Sequence, residues 1–145
     1  MGAEVILHRR PEDWPKRLHE YLAEASRLSF AWGRHDCVHL AARWLERIGY
    51  AEPLAGLPSW KSELSAWRAM RARGGFEQAV ADHVARLGCS AVPPLAGQRG
   101  DIALVAIPQG RKQALGIIDG VGVACAAPVG LGRVPVTAIL RAWRT

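Results

Sequence analysis

The hydrophobic pattern of this chain changes once, at Pro93 and Pro94, and that change limits the folds available to it. Before the prolines, apolar residues recur at the spacing of amphipathic helices; these segments run from Trp14 to near Ser29, from Cys37 to Ile48, from Trp60 to Gly74 and from Phe76 to Leu87. After them, short apolar runs stand between glycine and proline residues; they are residues 102–107, 115–118, 121–124 and 134–136. Helices followed by strands are typical of an α+β domain. We therefore expect N-terminal helices packed on a small, mostly antiparallel C-terminal sheet.

The length and cysteine content of the chain indicate how it is organised. With 145 residues, half of them hydrophobic, the chain is long enough to bury a core, and we expect residues 1–145 to form a single domain. The three cysteines, Cys37, Cys89 and Cys125, are odd in number and widely spaced, which suits neither a disulfide framework nor a zinc knuckle. We expect free thiols, no cofactor and no metal ion.

Charge and hydropathy argue against two classes of protein. The first ten residues include Glu4, His8, Arg9 and Arg10, and no apolar run reaches the length of a membrane span, so we expect neither a signal peptide nor a membrane segment. The net charge of +6 comes mainly from arginines scattered along the chain, without a helix-turn-helix or zinc pattern. Nucleic-acid binding is therefore not expected, whereas a modest basic surface would help docking on an acidic partner.

The segment from Phe30 to Cys37 carries the main chemical signal of the sequence. It is a loop of aromatic and glycine residues that brings Cys37 to the first turn of a helix, with Asp36 as the expected N-cap. Unpaired backbone N–H groups and the helix dipole favour a thiolate there, whereas the Asp36 carboxylate opposes it. Cys37 is thus a candidate nucleophile, and its place on the apolar face of the helix also suits a cysteine that only packs in the core.

The tryptophans divide into core and loop positions. Trp14, Trp44, Trp60 and Trp67 fall on apolar helix faces, which predicts that they lie in the core. Trp32 precedes Cys37 in the loop and is expected either to line a cleft or to close one end of the core. Trp143, near the C-terminus, is expected to close the sheet or to face a partner.

Two motifs together resemble the NlpC/P60 superfamily of papain-like cysteine peptidases. They are Trp32-Gly33-Arg34-His35-Asp36-Cys37 at the start of a helix and Arg99-Gly100-Asp101-Ile102-Ala103-Leu104-Val105 as a first core strand. The short chain and its ending, residues 134–144, resemble a compact branch of phage and prophage tail proteins. The resemblance covers the chain from about Trp14 to Trp143. It implies a papain-like fold in which a cysteine attacks an amide of a cell-wall peptide, a histidine on the second strand acts as base, and a third polar residue orients that histidine.

The base of that family has no counterpart at the matching position. The family's second strand typically begins His-Val-Gly-Ile, and this chain has Ala114-Leu115-Gly116-Ile117, so an alanine stands in place of the histidine. The third polar position falls near Cys125 and offers no orienting group. All histidines of the chain precede the expected sheet; His39 is about 200° around the helix from Cys37, while His35 lies in the loop and could fold back toward the thiol. Without a base, a thiol of ordinary pKa is a poor peptidase.

The resemblance implies a phage tail-tip or tail-assembly component that has kept the fold and lost the catalytic base. Such a protein would be made in the cytoplasm of a bacterial host, would reside in the virion tail, and would bind other tail proteins, with peptidoglycan as a second candidate partner. The alternative is an active cysteine peptidase that cleaves peptidoglycan stem peptides, with Cys37 as nucleophile and His35 or an unforeseen group as base. Trp32 and Asp36 are the expected binding residues.

Overall fold

The computed structural model describes residues 10–107 and 112–145, and within them the chain forms four α-helices and a six-stranded sheet. The helices are α1 (Trp14–Ala25), α2 (Cys37–Arg47), α3 (Glu63–Arg71) and α4 (Phe76–Arg86). The strands are β1 (Ser90–Val92), β2 (Ile102–Ile107), β3 (Lys112–Ile118), β4 (Val123–Ala126), β5 (Leu131–Val134) and β6 (Ile139–Arg144). All helices precede the sheet, so the prediction of an α+β fold is confirmed.

Every neighbouring pair of strands in the sheet is antiparallel, and the strand order is β1-β6-β2-β3-β4-β5. β2 and β3 are consecutive and pair along their length, with Ile102 opposite Ile117. β6, the last strand of the chain, lies between β1 and β2, and its Trp143 pairs with Ile102 of β2. The C-terminal segment is therefore an internal strand of the sheet.

The two faces of the sheet contribute to different hydrophobic clusters. Because side chains alternate along a strand, Ile102 and Leu104 of β2 face one side, and Ala103 and Val105 face the other. The first side packs against the helices and forms the helix-side core, which includes Leu18, Tyr21, Leu40, Trp44, Leu45, Val84, Ile102, Leu104, Leu115, Ile117 and Trp143. The second side forms the far-side core, which comprises Ala103, Val105, Ile118, Val123, Cys125, Ile139 and Ala142.

α2 is fixed in the centre of the helical layer by its apolar face and by two buried hydrogen bonds. Leu40 and Trp44 lie one turn apart on this face and are fully buried. The Trp44 Nε1–H group donates to the carbonyl of Gly100 at 2.8 Å, just before β2. The Tyr21 hydroxyl of α1 donates to the carbonyl of Leu40 at 2.7 Å. These contacts set the position of the helix that begins with Cys37.

The Asp101 carboxylate joins the two ends of the described chain to the start of β2. It is fully buried and pairs with Arg10 and, at 3.1 Å, with the Nε of Arg144. It also accepts the backbone N–H groups of Gln98 at 2.9 Å and of Thr145 at 3.3 Å. A buried carboxylate with this many donors orders the turn into the strand.

Several expected boundaries and one expected core residue were wrong. α1 ends at Ala25 instead of near Ser29, and α3 begins at Glu63, after Trp60. The strands expected at residues 115–118, 121–124 and 134–136 are observed at Lys112–Ile118, Val123–Ala126 and Leu131–Val134, and β1 and β6 were not predicted. Trp67 is 54% exposed instead of buried, because it lies on the outer side of a short helix. Trp143 is buried in β6 and packs in the helix-side core, so it completes the sheet instead of facing a partner.

No helix in the described part of the chain is both long enough and apolar enough to cross a membrane. The charged residues that argue against a signal peptide, other than Arg10, lie in residues 1–9, outside the described residues.

Candidate functional site

The loop between α1 and α2 is a closed turn that presents Trp32. The His35 N–H group donates to the carbonyl of Ala31 at 2.8 Å, and the Ala31 N–H group donates to the carbonyl of His35 at 3.1 Å. The N–H group of Phe30 donates to Pro128, in the turn between β4 and β5, at 3.2 Å. The Phe30 and Trp32 rings pack edge to face, with their centroids 4.8 Å apart. The loop therefore holds Trp32 in a fixed relation to the start of α2.

A cavity of about 650 Å³ opens beside Cys37. Its wall is formed by this loop, the start of α2, the segment before α3, α3 itself, the start of α4 and the start of β3; the side chains include Trp32, Cys37, Trp60, Trp67, Phe76 and Gln113. Trp32 thus lines a cleft, which is one of the two positions expected for it. The volume lies within the range of pockets that bind small molecules or side chains of a partner.

The Asp36 carboxylate is the N-cap of α2, as predicted, and it also ties the cavity wall together. Its Oδ1 accepts the backbone N–H group of His39 at 2.9 Å and the His39 Nδ1–H group at 2.7 Å. Its Oδ2 accepts the Gly33 N–H group at 2.9 Å and the Trp60 Nε1–H group at 2.7 Å. Burial raises the pKa of Asp36, but the hydrogen bonds from His39, Trp60 and Gly33 outweigh it and lower the pKa to about 2. Asp36 is ionised, lines the cavity and is held by four hydrogen bonds that join the parts of its wall.

The Cys37 side chain is partly buried and its thiol is protonated at neutral pH. The pKa of the Cys37 thiol is raised from 9.0 to about 11; burial is the main cause, and the charge of Asp36 acts in the same direction. The backbone N–H groups of Leu115, Val38 and Cys37 lower that pKa, as expected at a helix start, but by less than burial raises it. The N–H groups at the helix start therefore stabilise the thiolate as expected, but their effect on the pKa is smaller than that of burial.

The structure places His35 and Cys37 in different cavities. His35 is only 4% exposed and lines a separate cavity of about 160 Å³ with Tyr21 and Arg43, among others. Neither of its ring nitrogens has a hydrogen-bond partner among the described residues. Burial, and then the positive charge of Arg43, lower the pKa of His35, so the ring is neutral. This arrangement does not support the prediction that His35 is the base for Cys37.

None of the other described histidines lines the Cys37 cavity. The His39 ring is held by Asp36 and lies edge-on to the Trp60 ring, with centroids 5.6 Å apart. His83 of α4 is hydrogen-bonded to the carbonyl of Pro53. His8 lies outside the described residues.

Two residues of β3, Lys112 and Gln113, line the cavity with Cys37, and sequence reasoning missed both. Side chains alternate along the strand, and Leu115 and Ile117 belong to the helix-side core together with the neighbourhood of Cys37. Ala114, which matches the histidine of the NlpC/P60 pattern, packs against the far-side core instead. An amide side chain does not act as a base near neutral pH, so Gln113 does not replace the missing imidazole.

Among the described residues that line the cavity there is no imidazole, and the ionisable side chains are those of Asp36, Cys37, Glu63, Arg71 and Lys112. Across residues 10–107 and 112–145, no group of three or more His, Cys, Asp or Glu side chains is arranged to hold a metal ion. Around the thiol, the cavity wall consists mainly of aromatic and aliphatic side chains, including Val38, Trp60, Ala66, Met70 and Phe76.

A family model described as a domain of unknown function, DUF6950, matches residues 9–145 of the chain. No curated protein matches the chain.

Gly33 lets its loop pack closely against the backbone of Trp60 in the cavity wall, and an alanine at this position should destabilise the protein strongly. Its φ is +80°, and a Cβ there would lie 2.0 Å from the carbonyl oxygen of Trp60. Gly56 has a similar φ of +87° with no atom within 4 Å of its Cβ position, so it is the matched control. We expect Gly56→Ala to cost about 1 kcal/mol, from backbone strain alone, and Gly33→Ala at least about 2 kcal/mol more. Urea unfolding measures both; equal costs would contradict the close contact.

Asp36 should make stability depend on pH in the acid range. Its folded-state pKa of about 2 is below the ordinary value of 3.8, so its contribution is complete above 3.8 and is lost as the pH falls through about 2. We expect the difference in unfolding free energy between the parent and Asp36→Asn to shrink by about 2 kcal/mol from pH 5 to pH 2. Urea titrations across this range give the difference, and Asp82→Asn, at an exposed carboxylate, is the control. A difference that does not change with pH would contradict the hydrogen-bonded carboxylate.

Proposed function

The chain belongs to the DUF6950 family, a family of unknown function, and we propose that it is a catalytically silent NlpC/P60-like component of a phage tail tip or tail assembly. The observation that carries the catalytic part of this proposal is the absence of any described histidine from the cavity that Cys37 lines. The tail context comes from the sequence resemblance.

The chemistry of amide cleavage explains why this absence matters. The nucleophile must be a thiolate, and the leaving amine must receive a proton; in cysteine peptidases one imidazole serves both steps. With a pKa of about 11, about one Cys37 thiol in ten thousand is ionised at pH 7. A missing general acid typically costs a further hundred- to ten-thousand-fold in rate, roughly. The two deficits multiply, so the cavity is far better suited to binding than to hydrolysis.

The resemblance to NlpC/P60 domains has support in the arrangement of elements. An Asp-Cys pair opens α2 in the helical layer, and the Gly100-Asp101 pair leads into β2 of the antiparallel sheet. Both motifs meet in space, because Trp44 of α2 donates its hydrogen bond to the carbonyl of Gly100. The proposal therefore combines a peptidase-like framework with a site that has lost its base.

If the protein is a tail component, its incorporation should not depend on the thiol. We expect the parent and Cys37→Ser to be present in equal amounts in purified phage particles or in tail assembly intermediates, measured by quantitative mass spectrometry. Trp44→Ala, which opens a hole in the helix-side core, is the control for incorporation that requires folding. Absence of the parent protein from both particles and intermediates would contradict the proposal.

The second candidate function is an active cysteine peptidase that cleaves peptidoglycan stem peptides. The position of Cys37, a partly buried residue, in the wall of an open cavity favours it. It requires a base that reaches Cys37 on substrate binding and a depressed thiol pKa.

Cys37 should be unreactive at neutral pH and should gain reactivity only in alkali. We expect the rate of its alkylation by iodoacetamide to keep rising with pH up to about 11, because the thiol pKa is raised to about 11. Mass spectrometry follows the modification, and Cys37→Ser gives the background from Cys89 and Cys125. We also expect neither protein to release new amine termini from purified peptidoglycan. Cleavage by the parent alone would establish the peptidase instead, and an alkylation midpoint below pH 8 would contradict the raised thiol pKa.

A further inference from the structure

The cavity beside Cys37 leaves large aromatic surfaces uncovered at its mouth. Trp67 of α3 is 54% exposed and Trp32 of the loop is 37% exposed, and both line the cavity. Leu64, on the first turn of α3, is 55% exposed. Exposed aromatic side chains around a concave apolar site are typical of the anchor positions of protein interfaces.

The two most buried polar side chains in the wall of the cavity, those of Asp36 and Trp60, are already hydrogen-bonded. Both oxygens of Asp36 accept two hydrogen bonds each, and the Nε1–H group of Trp60 is one of their donors. A carbohydrate ligand needs many free hydrogen-bonding groups, whereas this wall offers mainly the surfaces of Met70 and Phe76 beside the tryptophans. The interior therefore favours an apolar occupant.

The mouth of the cavity carries a positive charge with no acidic partner. The Arg71 guanidinium lies over the Trp67 ring, 5.1 Å from its centroid, and forms no salt bridge within the part of the chain that the structure describes. Lys112 on the opposite wall is paired with Glu63 at 3.6 Å, so these two charges balance. A guanidinium stacked on an indole keeps its N–H edge free for a carboxylate. The charge of the mouth thus complements an acidic group.

We infer that the cavity beside Cys37 is a docking site for an apolar peptide segment of a partner protein that is flanked by acidic residues. The apolar side chains of the segment pack on Trp32 and Trp67 and enter the cavity, and a glutamate or aspartate of the partner pairs with Arg71. This inference rests on the proposed non-catalytic role, because an active peptidase would fill the same cavity with its substrate.

The test uses the full chain and three short fluorescent peptides that share one apolar core, Leu-Phe-Leu-Phe, flanked by glutamates, glutamines or lysines. Fluorescence polarisation gives the dissociation constants. We expect the glutamate peptide to bind most tightly and the lysine peptide most weakly. Trp67→Ala should weaken binding about tenfold or more, as for an interface anchor. Arg71→Gln should reduce the ratio of the dissociation constants of the glutamine and glutamate peptides about fivefold, as for a partly exposed ion pair.

Two controls separate the site from general effects. Leu95→Ala changes an apolar side chain that is 81% exposed outside the cavity, and Arg27→Gln removes an exposed charge that does not line it. Neither should change the dissociation constants, and circular dichroism confirms that all variants are folded. Failure of the glutamate peptide to bind, equal binding by Trp67→Ala, or tightest binding of the lysine peptide would each overturn the inference. The inference would also be overturned if the glutamate peptide did not bind, whereas muropeptides or lipid vesicles bound to the parent and not to Trp67→Ala.

The results of the peptide test and of the tests of the proposed function distinguish a failure of one proposal from a failure of the other. Incorporation into tail particles together with a failure of the glutamate peptide to bind would overturn the docking site alone. Peptide binding that depends on Trp67 and Arg71, together with absence from particles, would overturn the tail role and leave the docking site supported. Cleavage of peptidoglycan would overturn the non-catalytic role on which both depend.

Discussion

The carboxylate of Asp36 is the contact on which the candidate site depends. It joins the loop at Gly33, the first turn of α2 at His39 and the segment before α3 at Trp60. Hydrogen bonds to a charged group contribute about 1.5–3 kcal/mol each, and the carboxylate is almost completely buried, so the loss of this group would leave several donors without a partner. Without it, neither the position of Cys37 nor the aromatic wall of the cavity would be fixed.

The Asp36 carboxylate next to Cys37 also raises the pKa of its thiol. A fixed negative charge on the neighbouring residue opposes a second negative charge on the sulfur, and burial of the thiol acts in the same direction. The helix dipole and nearby N–H groups are too weak to reverse this, because they act on a group that has lost most of its hydration. Asp36 therefore stabilises the architecture of the site at the expense of thiolate chemistry.

Local patterns predicted the elements that depend on neighbours in sequence, and long-range contacts decided the rest. The helical segments and the Asp36 cap follow from spacing and end signals within a few residues, whereas for Trp32 these signals left a cleft and the end of the core as alternatives. β6 was missed because its residues, Ile-Leu-Arg-Ala-Trp-Arg, have no simple alternation, and it becomes a strand by pairing with both β1 and β2. The exposure of Trp67 likewise depends on what covers a short helix, which helical spacing alone does not specify.

The register of β3 shows how one residue decides the chemistry of a site. In the sequence pattern, Ala114 is the position of the missing base, yet its side chain packs with the far-side core, and Gln113 is the neighbour that lines the cavity. Because side chains alternate along a strand, a shift of one position exchanges the two faces. The pairing of Ala103 with Gly116 and of Leu104 with Leu115 fixes which face each residue takes, and no local motif contains that information. The cavity therefore presents the Cys37 thiol, the Gln113 amide and aromatic rings, and no imidazole among the described residues, to whatever occupies it.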